Sequence, residues 1–248
     1  MDKNDREAMG LRGPVKRLCV EIVEENRPKR TDKIVLFNEL GYMIEEEYFD
    51  DAGKPNLRAL TTYNERNERT IRMLLYADGR AESLRYEYDV ENGRRTEWRC
   101  FKEDGSIYSQ TKYIYAGELL KEEIHYRDGL KKERRIFHYS GTRLKSSAAE
   151  TLNADGTVLY TRETFYDERG RETGSRESGM GTIQTTYNDD GLEVETLSRD
   201  EGEIAWKTEY TYLMDGARNW LMKQEKTIFP GSSKQTSKMT LRQIIYFQ

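Results

Sequence analysis

The two histidines and two cysteines are the residues of this sequence best suited to nucleophilic or metal chemistry. His125 and His138 each stand just before a turn, and with Cys100 they are the only material for a nucleophile–base pair or a zinc site. Cys19 lies far away in sequence, so there is no CxxC pair and no disulfide framework. Strand histidines are more often structural side chains. We therefore expect no catalytic residue, no metal site and no cofactor.

Carboxylates are abundant, with 45 Asp and Glu residues, so some pair will fall at glycosidase spacing by chance and the sequence singles out none. The acidic turns at 153–156 and 188–191 lack the spaced oxygen ligands and distal Glu of a calcium loop, and we interpret them as turns. The sequence has no phosphate-binding glycine loop, GxSxG or HExxH. These observations predict that the protein is not an enzyme, and a polysaccharide hydrolase with a carboxylate pair in a sheet groove is the alternative.

Aromatic side chains are the remaining candidates for a functional surface. Tyr and Trp commonly anchor binding interfaces because they join a large apolar ring to a polar group. The alternative is that they form the core of a thin sheet. We predict that a sugar ring or a peptide rests on a row formed by Trp98, Tyr113, Tyr115, Tyr126, Tyr139, Trp206 and Trp220.

The stretch 84–94 shows which element would carry such side chains. Leu84, Tyr86 and Tyr88 alternate with charged residues, which predicts a strand with one aromatic face and one charged face. Asp89 then leads through a short polar segment to Gly93. Asp and Gly favour turns because Asp bonds its own backbone and Gly reaches positive φ without strain.

This strand-and-turn unit repeats along the chain. Turn glycines recur about every 12 to 14 residues, and Asn67 stands where one glycine is missing, since Asn also accepts the left-handed conformation. The glycines are Gly41, Gly53, Gly79, Gly93, Gly105, Gly117, Gly129, Gly141, Gly156, Gly170, Gly191, Gly202 and Gly216. The spacing predicts an all-β fold, a long antiparallel β-meander of repeated hairpins. Roughly 18 strands would form one elongated, twisted and curled sheet.

Domain organisation follows from the same pattern. Residues 1–12 are polar and without periodicity, and they predict a flexible N-terminal arm outside the fold. Residues 13–248 are expected to form a single domain. The Gly- and Ser-rich stretch 174–181 is the best candidate for a bend.

Composition limits the partners. The 41 basic and 45 acidic residues are interspersed, giving a formal charge of -4, so no electrostatic footprint for nucleic acid is present. The sequence has no apolar run of the ~20 residues that a membrane helix needs. We expect a protein or glycan partner, no nucleic acid and no membrane insertion. A homodimer through sheet edges is a further alternative, because open edges pair readily.

The turn motifs resemble those of the YD-repeat, or Rhs-like, family, in which Tyr-Asp is followed within a few residues by Gly. The matching segments are 49–53, 88–93, 166–170 and 187–191, and 210–220 is similar to the closing segment of small members of bacterial envelopes. The resemblance implies a non-catalytic binding or scaffold protein of a bacterial cell envelope that presents an extended sheet surface. An assembly or immunity-type partner is the alternative. The expected location is the envelope, or secretion if a leader was removed, and otherwise the cytoplasm.

Overall fold

The computed structural model describes residues 4–25, 27–179 and 181–247, and these residues are almost entirely β-strand. One short helix, α1, spans Asp5–Ala8. The strands are β1 Val15–Glu24, β2 Arg30–Phe37, β3 Met43–Phe49, β4 Pro55–Tyr63, β5 Arg69–Tyr76, β6 Ala81–Glu91, β7 Arg94–Phe101, β8 Ile107–Ala116, β9 Leu119–Arg127, β10 Leu130–Ser140, β11 Arg143–Leu152, β12 Val158–Tyr166, β13 Glu172–Glu177, β14 Thr182–Tyr187, β15 Glu193–Asp200, β16 Glu203–Met214, β17 Trp220–Ile228 and β18 Gln235–Tyr246. Within the described part of the chain, no helix has the length and apolar character needed to cross a bilayer.

The strands belong to one 18-stranded sheet in which sequence neighbours are also sheet neighbours. Every pairing whose register is described is antiparallel. The predicted all-β meander and its strand number are confirmed. The predicted open, curled sheet is wrong, because β1 pairs with both β2 and β18 and closes the strand order as in a β-barrel. Because β1 pairs on both sides, the described strand order has no unpaired edge, and the homodimer through sheet edges stays a prediction.

Several hairpin turns share one hydrogen-bonding scheme. One carboxylate oxygen of Asp167 accepts hydrogen bonds from the backbone N–H groups of Arg169 at 2.8 Å and Arg171 at 2.9 Å. Asp50 and Asn64 accept the same pair of bonds two and four residues ahead. Acidic and amide residues therefore recur in this chain because they close turns.

Backbone conformation at the turns agrees with the glycine pattern at most positions. Asn67 has φ of 61°, which confirms that it substitutes for a glycine in the repeat. The exception is the expected turn glycine Gly216, which does not have positive φ. Arg218 takes the left-handed conformation there, with φ of 62°. Asp215 organises this turn instead, accepting hydrogen bonds from the N–H groups of Ala217 and Asn219.

Contacts divide the chain into two compact units. Unit 1 comprises Met1–Arg85, Tyr210–Thr227 and Gln235–Gln248, and unit 2 comprises Tyr86–Glu209 and Ile228–Lys234. Three unit boundaries fall within β6, β16 and β17, the fourth lies just before β18, and none falls at 174–181. That stretch holds the end of β13 and lies just before β14, and the two strands pair with each other through Gly174 and Gln184 among other residues. Met180, inside the predicted bend, lies outside the described residues.

Unit 1 has an apolar core on one face of its strands. The core side chains are Leu11, Val15, Leu18, Val20, Val35 and Phe37. Burying such side chains fully contributes about 1.5 to 3 kcal/mol each. Unit 2 buries mostly small polar side chains on the corresponding face, namely Ser109, Thr111, Ser147, Ser175, Thr196, Ser198 and Thr208, together with Cys100. We call this face of either unit the buried face.

Residues 4–12 differ from the predicted arm, because they pack against unit 1. Asn4 caps α1, and one carboxylate oxygen of Asp5 accepts hydrogen bonds from the N–H of Met43 at 2.9 Å and the hydroxyl of Tyr63 at 2.8 Å. Leu11 is only 3 % exposed and belongs to the core. The first three residues of the predicted arm lie outside the described residues.

The opposite face of both units carries cross-strand ion pairs, and we call it the ionic face. Arg58 contacts Glu45 at 2.8 Å in unit 1. In unit 2, Arg134 contacts Glu122 at 2.7 Å, and Lys207 contacts Glu195 at 2.7 Å. The alternation of charged and uncharged residues along each strand places these charges together on neighbouring strands.

Candidate functional site

Four of the seven predicted aromatic residues lie near one another on the buried face of unit 2. Trp98 on β7 is opposite Thr111 on β8, and Tyr113 and Tyr115 follow on the same face of β8 at steps of two residues. Tyr139 lies on β10, two residues beyond Phe137, which is opposite the buried Ser147. These four residues therefore lie on β7, β8 and β10 of a single unit, and binding of a ligand by them stays a prediction.

The other three predicted residues lie elsewhere. Tyr126 is on the ionic face, opposite Gln110, and Lys112 stacks on its ring at 5.8 Å. Trp206 is on the buried face of unit 2 but on β16, opposite Ser198. Trp220 belongs to unit 1. The structure thus does not bring all seven side chains into one row.

Glu123 is the charged residue at the centre of the group. It lies on β9 opposite Tyr113 of β8 on one side and opposite Arg135 of β10 on the other. Burial raises the pKa of its carboxyl group, and the nearby carboxylate of Glu133 raises it further, against the lowering effect of Arg135. Arg135 lies 3.9 Å from Glu123 and donates a hydrogen bond of 3.0 Å to Glu133. One guanidinium therefore links two carboxylates on the same face.

The carboxylate of Glu123 also raises the pKa of two tyrosine hydroxyls. Burial raises the pKa of the Tyr113 hydroxyl, and the charge of Glu123 adds to this effect, while hydrogen bonds with Arg95 and Trp98 oppose it. The pKa of Tyr139 is raised by burial and then by Glu123. Both phenols therefore stay protonated at neutral pH and keep an O–H donor for a ligand or a neighbour.

Cationic side chains stack on a ring of the group and on a tyrosine outside it. Arg95 lies 4.4 Å from the ring centroid of Tyr88, and Lys121 lies 5.2 Å from that of Tyr139. The hydroxyl of Tyr115 donates a hydrogen bond of 3.1 Å to the backbone carbonyl of Arg95. Such contacts hold the rings in fixed orientations. The group formed by Trp98, Tyr113, Tyr115, Glu123 and Tyr139 is called the aromatic–carboxylate cluster below.

The histidines do not form a pair. His125 lies on the buried face beside the cluster, where its Nδ1 atom is 3.0 Å from the hydroxyl of Thr111 and its ring centroid is 6.4 Å from that of Trp98. His138 is exposed and has the opposite orientation along β10. Cys19 and Cys100 are both buried, and no disulfide joins them. The described residues include no group of three or more potential metal ligands.

Sequence reasoning missed Glu123, Arg135 and Arg95, because carboxylates and guanidinium groups occur throughout the chain. One signal was available. Within β9, Glu123 and His125 alternate with Glu122 and Ile124, so one of the two adjacent glutamates must share the face of His125. That signal does not show which face of β9 is buried.

The comparisons with known proteins give a likeness in fold. No protein-family model matches the chain, and no curated protein matches it. A porin-like protein from Bacteroides uniformis is similar in structure, with a TM-score of 0.50, 12 % identity, and coverage of 94 % of this chain and 99 % of that chain. A porin-like protein from Bacteroides vulgatus gives 0.43 and 12 %, with the same coverage. The Photorhabdus luminescens Tc holotoxin pore gives 0.39 and 12 %, covering 86 % of this chain and 13 % of that one. At these identities the first likeness supports the fold alone.

Proposed function

We propose that this chain is a non-catalytic glycan-binding protein of a bacterial cell envelope, and that the aromatic–carboxylate cluster of unit 2 is its binding site. The observation that carries the proposal is the placement of Trp98, Tyr113, Tyr115 and Tyr139 around Glu123 on one face. The envelope location rests on the resemblance of the turn motifs to YD-repeat proteins, and the likeness to porin-like proteins is compatible with it.

The chemistry of the cluster suits a saccharide. Aromatic rings offer flat apolar surfaces on which the C–H face of a sugar ring packs, while phenol hydroxyls bond to sugar hydroxyl groups. The carboxylate of Glu123 accepts hydrogen bonds from two sugar hydroxyls and can do so strongly in a partly buried site. Since Lys121 stacks on Tyr139 and the hydroxyl of Tyr115 donates to the backbone carbonyl of Arg95, these two side chains lose little freedom on binding.

The test is a glycan array probed with the full chain, followed by calorimetry on the strongest saccharide. Trp98→Ala is expected to lose about 1 kcal/mol or more of binding free energy, a roughly fivefold rise in Kd. Tyr126→Ala is the matched control, because Tyr126 lies on the ionic face of the neighbouring strand. Absence of any saccharide binder, or an equal loss in both variants, contradicts the proposal.

A polysaccharide hydrolase is the second candidate, and the arrangement of Glu123, Arg135 and Glu133 is the observation that favours it. A carboxyl group with a raised pKa can protonate a leaving oxygen while a second carboxylate acts as nucleophile or base. Release of reducing ends from bacterial polysaccharides, abolished by Glu123→Gln with saccharide binding retained, would favour this function over simple binding. No release with the wild-type chain excludes it for those substrates.

A further inference from the structure

Arg242 in unit 1 has an unusual environment for a guanidinium group. It lies on β18, opposite the buried Val20 of β1, and its guanidinium carbon is 3.4 Å from the ring centroid of Trp220. Its Nε and Nη1 atoms are buried and have no hydrogen-bond partner among the described residues. Burial lowers the pKa of this group to about 10. A buried cation without hydrogen bonds is costly, so the arrangement calls for an explanation.

Two other partly buried arginines of this chain each have a carboxylate partner. Arg72 contacts Glu46 at 2.8 Å, and Arg171, which also stacks on a tyrosine ring, contacts Asp167 at 2.6 Å. Arg242 has no such carboxylate within the described part of unit 1, and the aromatic side chains of Trp220 and Tyr212 are its neighbours instead. The counter-charge that the fold supplies elsewhere is missing at this position.

A second cation lies on the same face nearby. Val20 is opposite Arg242 on one side and opposite Lys33 of β2 on the other, so the two basic residues flank one buried valine. With strands about 4.8 Å apart, their Cα atoms are separated by roughly 10 Å. Across the residues that the structure describes, Lys33 has no ion pair either. Two positive charges thus share the buried face of unit 1 without a protein counter-ion.

We propose that unit 1 binds an oxyanion, a carboxylate or phosphate group of a ligand, at Arg242, with Trp220 holding the guanidinium and Lys33 adding positive charge. The guanidinium group of Arg242 has N–H donors without a protein acceptor, and charge-assisted hydrogen bonds from such donors to an oxyanion are short and strong. Stacking on Trp220 fixes the plane of the guanidinium group before the ligand binds. Burial strengthens the attraction between the guanidinium group and the oxyanion because the local dielectric constant is low. This site is independent of the cluster in unit 2.

Calorimetry and thermal unfolding at constant ionic strength test the site, with inorganic phosphate, glucuronic acid and uncharged glucose as probes. Phosphate or glucuronic acid should bind saturably and raise Tm, whereas glucose should not. Arg242→Gln should weaken binding roughly tenfold or more, and Arg242→Lys should weaken it less because the charge remains. Arg58→Gln, on the ionic face of the same unit, is the matched control and should bind as wild type.

The pattern of responses decides the outcome. Binding of phosphate alone points to a phosphorylated ligand, binding of glucuronic acid alone points to a carboxylate ligand, and either supports the site. The proposal is overturned if neither phosphate nor glucuronic acid binds saturably. It is also overturned if wild type and Arg242→Gln respond equally. A measurement without any anion gives a second check: Arg242→Met should raise Tm, because it removes a buried charge that lacks a partner. A lower Tm in Arg242→Met would show that the side chain is structural.

Discussion

At the scale of single residues, Glu123 and Asp167 illustrate two opposite uses of a carboxylate. Burial raises the pKa of Glu123 above its ordinary 4.5, so the fold favours the protonated form. Hydrogen bonds from the backbone of Arg171 lower the pKa of Asp167 below its ordinary 3.8, so the fold favours the charged form. The first residue belongs to the candidate site, and the second closes a turn.

The two residues therefore give opposite pH dependence. Protonated Glu123 stabilises the fold fully below about pH 4.5, and this contribution is lost as the pH rises through the raised folded value. We expect Glu123→Gln to gain stability relative to wild type between about pH 4 and pH 7. Urea unfolding of both proteins across this range measures the difference. A difference that is constant with pH would contradict the assignment.

Asp167 provides the contrasting case. Its charged form contributes stability above its ordinary pKa of 3.8, and the contribution is lost as the pH falls through the lowered folded value. Asp167→Ala should therefore cost most near neutral pH, since the turn N–H groups of Arg169 and Arg171 then lose their acceptor. The cost should shrink at strongly acidic pH, which the same unfolding experiment measures.

At the scale of elements, Gly174 shows why β13 has no side chain at one position. A Cβ atom built there would lie 2.5 Å from the backbone carbonyl oxygen of Ile183 on β14, closer than real contacts allow. Gly174→Ala should therefore push the two strands apart and cost about 1 to 3 kcal/mol of unfolding free energy. Gly216→Ala is the matched control, because its φ is not positive and no atom lies within 4 Å of the added Cβ.

Urea unfolding of both glycine variants tests this comparison. Gly216→Ala should change stability by no more than about 0.5 kcal/mol, or stabilise slightly by restricting the unfolded chain. Equal losses in the two variants would show that backbone freedom, and not the approach of β13 to β14, explains the glycine in the strand.

At the scale of the whole molecule, charge is distributed along both units. Ion pairs such as Arg58–Glu45 and Lys207–Glu195 connect neighbouring strands of the ionic face. Each exposed pair contributes little to stability by itself, but many such pairs recur. We expect Tm to fall when sodium chloride is raised to about 1 M, where the Debye length shrinks to ~3 Å. Sucrose at the same osmolality should not lower it, and a Tm that does not depend on salt would contradict a role for these pairs.

Lipid contact is a separate expectation at this scale. Barrels that span a membrane carry an apolar band on their lipid-facing side. In the described strands, one face carries ion pairs among scattered exposed apolar side chains such as Leu159 and Leu213, and the other carries small polar or charged side chains in unit 2. We therefore expect the chain to stay unbound when mixed with phospholipid vesicles in a flotation assay. Flotation with vesicles that resists high salt would contradict the prediction of no membrane insertion.

Local features of the fold were predictable, because turn chemistry acts over a few residues. The spacing of the turn glycines, with Asn67 in place of one of them, predicted the strands and the meander. Closure was not predictable, since it depends on β1 and β18, whose residues Val15 and Tyr246 pair across almost the whole chain. Hydrophobic alternation does not reveal which distant strands meet.

The site was predictable only within each strand. Tyr113 and Tyr115 share a face because they are two residues apart, whereas Tyr126 was placed wrongly beside them. Ile114 of β8 is opposite Glu122 of β9, but the next residue, Tyr115, is opposite Leu120. The extra residue in β9 forms a β-bulge, and it changes which side chains of β9 share a face with Tyr115. Bulges of this kind separate the pattern of one strand from that of the next, and the sequence does not mark them.

The position of β1 between β2 and β18 has a consequence for biosynthesis. Hairpins from β2 onward can form as they leave the ribosome, because their partners are close in sequence. β1 is made early but gains its second neighbour only when β18 emerges, more than 200 residues later. Until then the apolar side chains of β1, such as Leu18 and Val20, lack the packing that Ile244 of β18 provides. Stalled or truncated nascent chains should therefore be the form of this protein that chaperones bind.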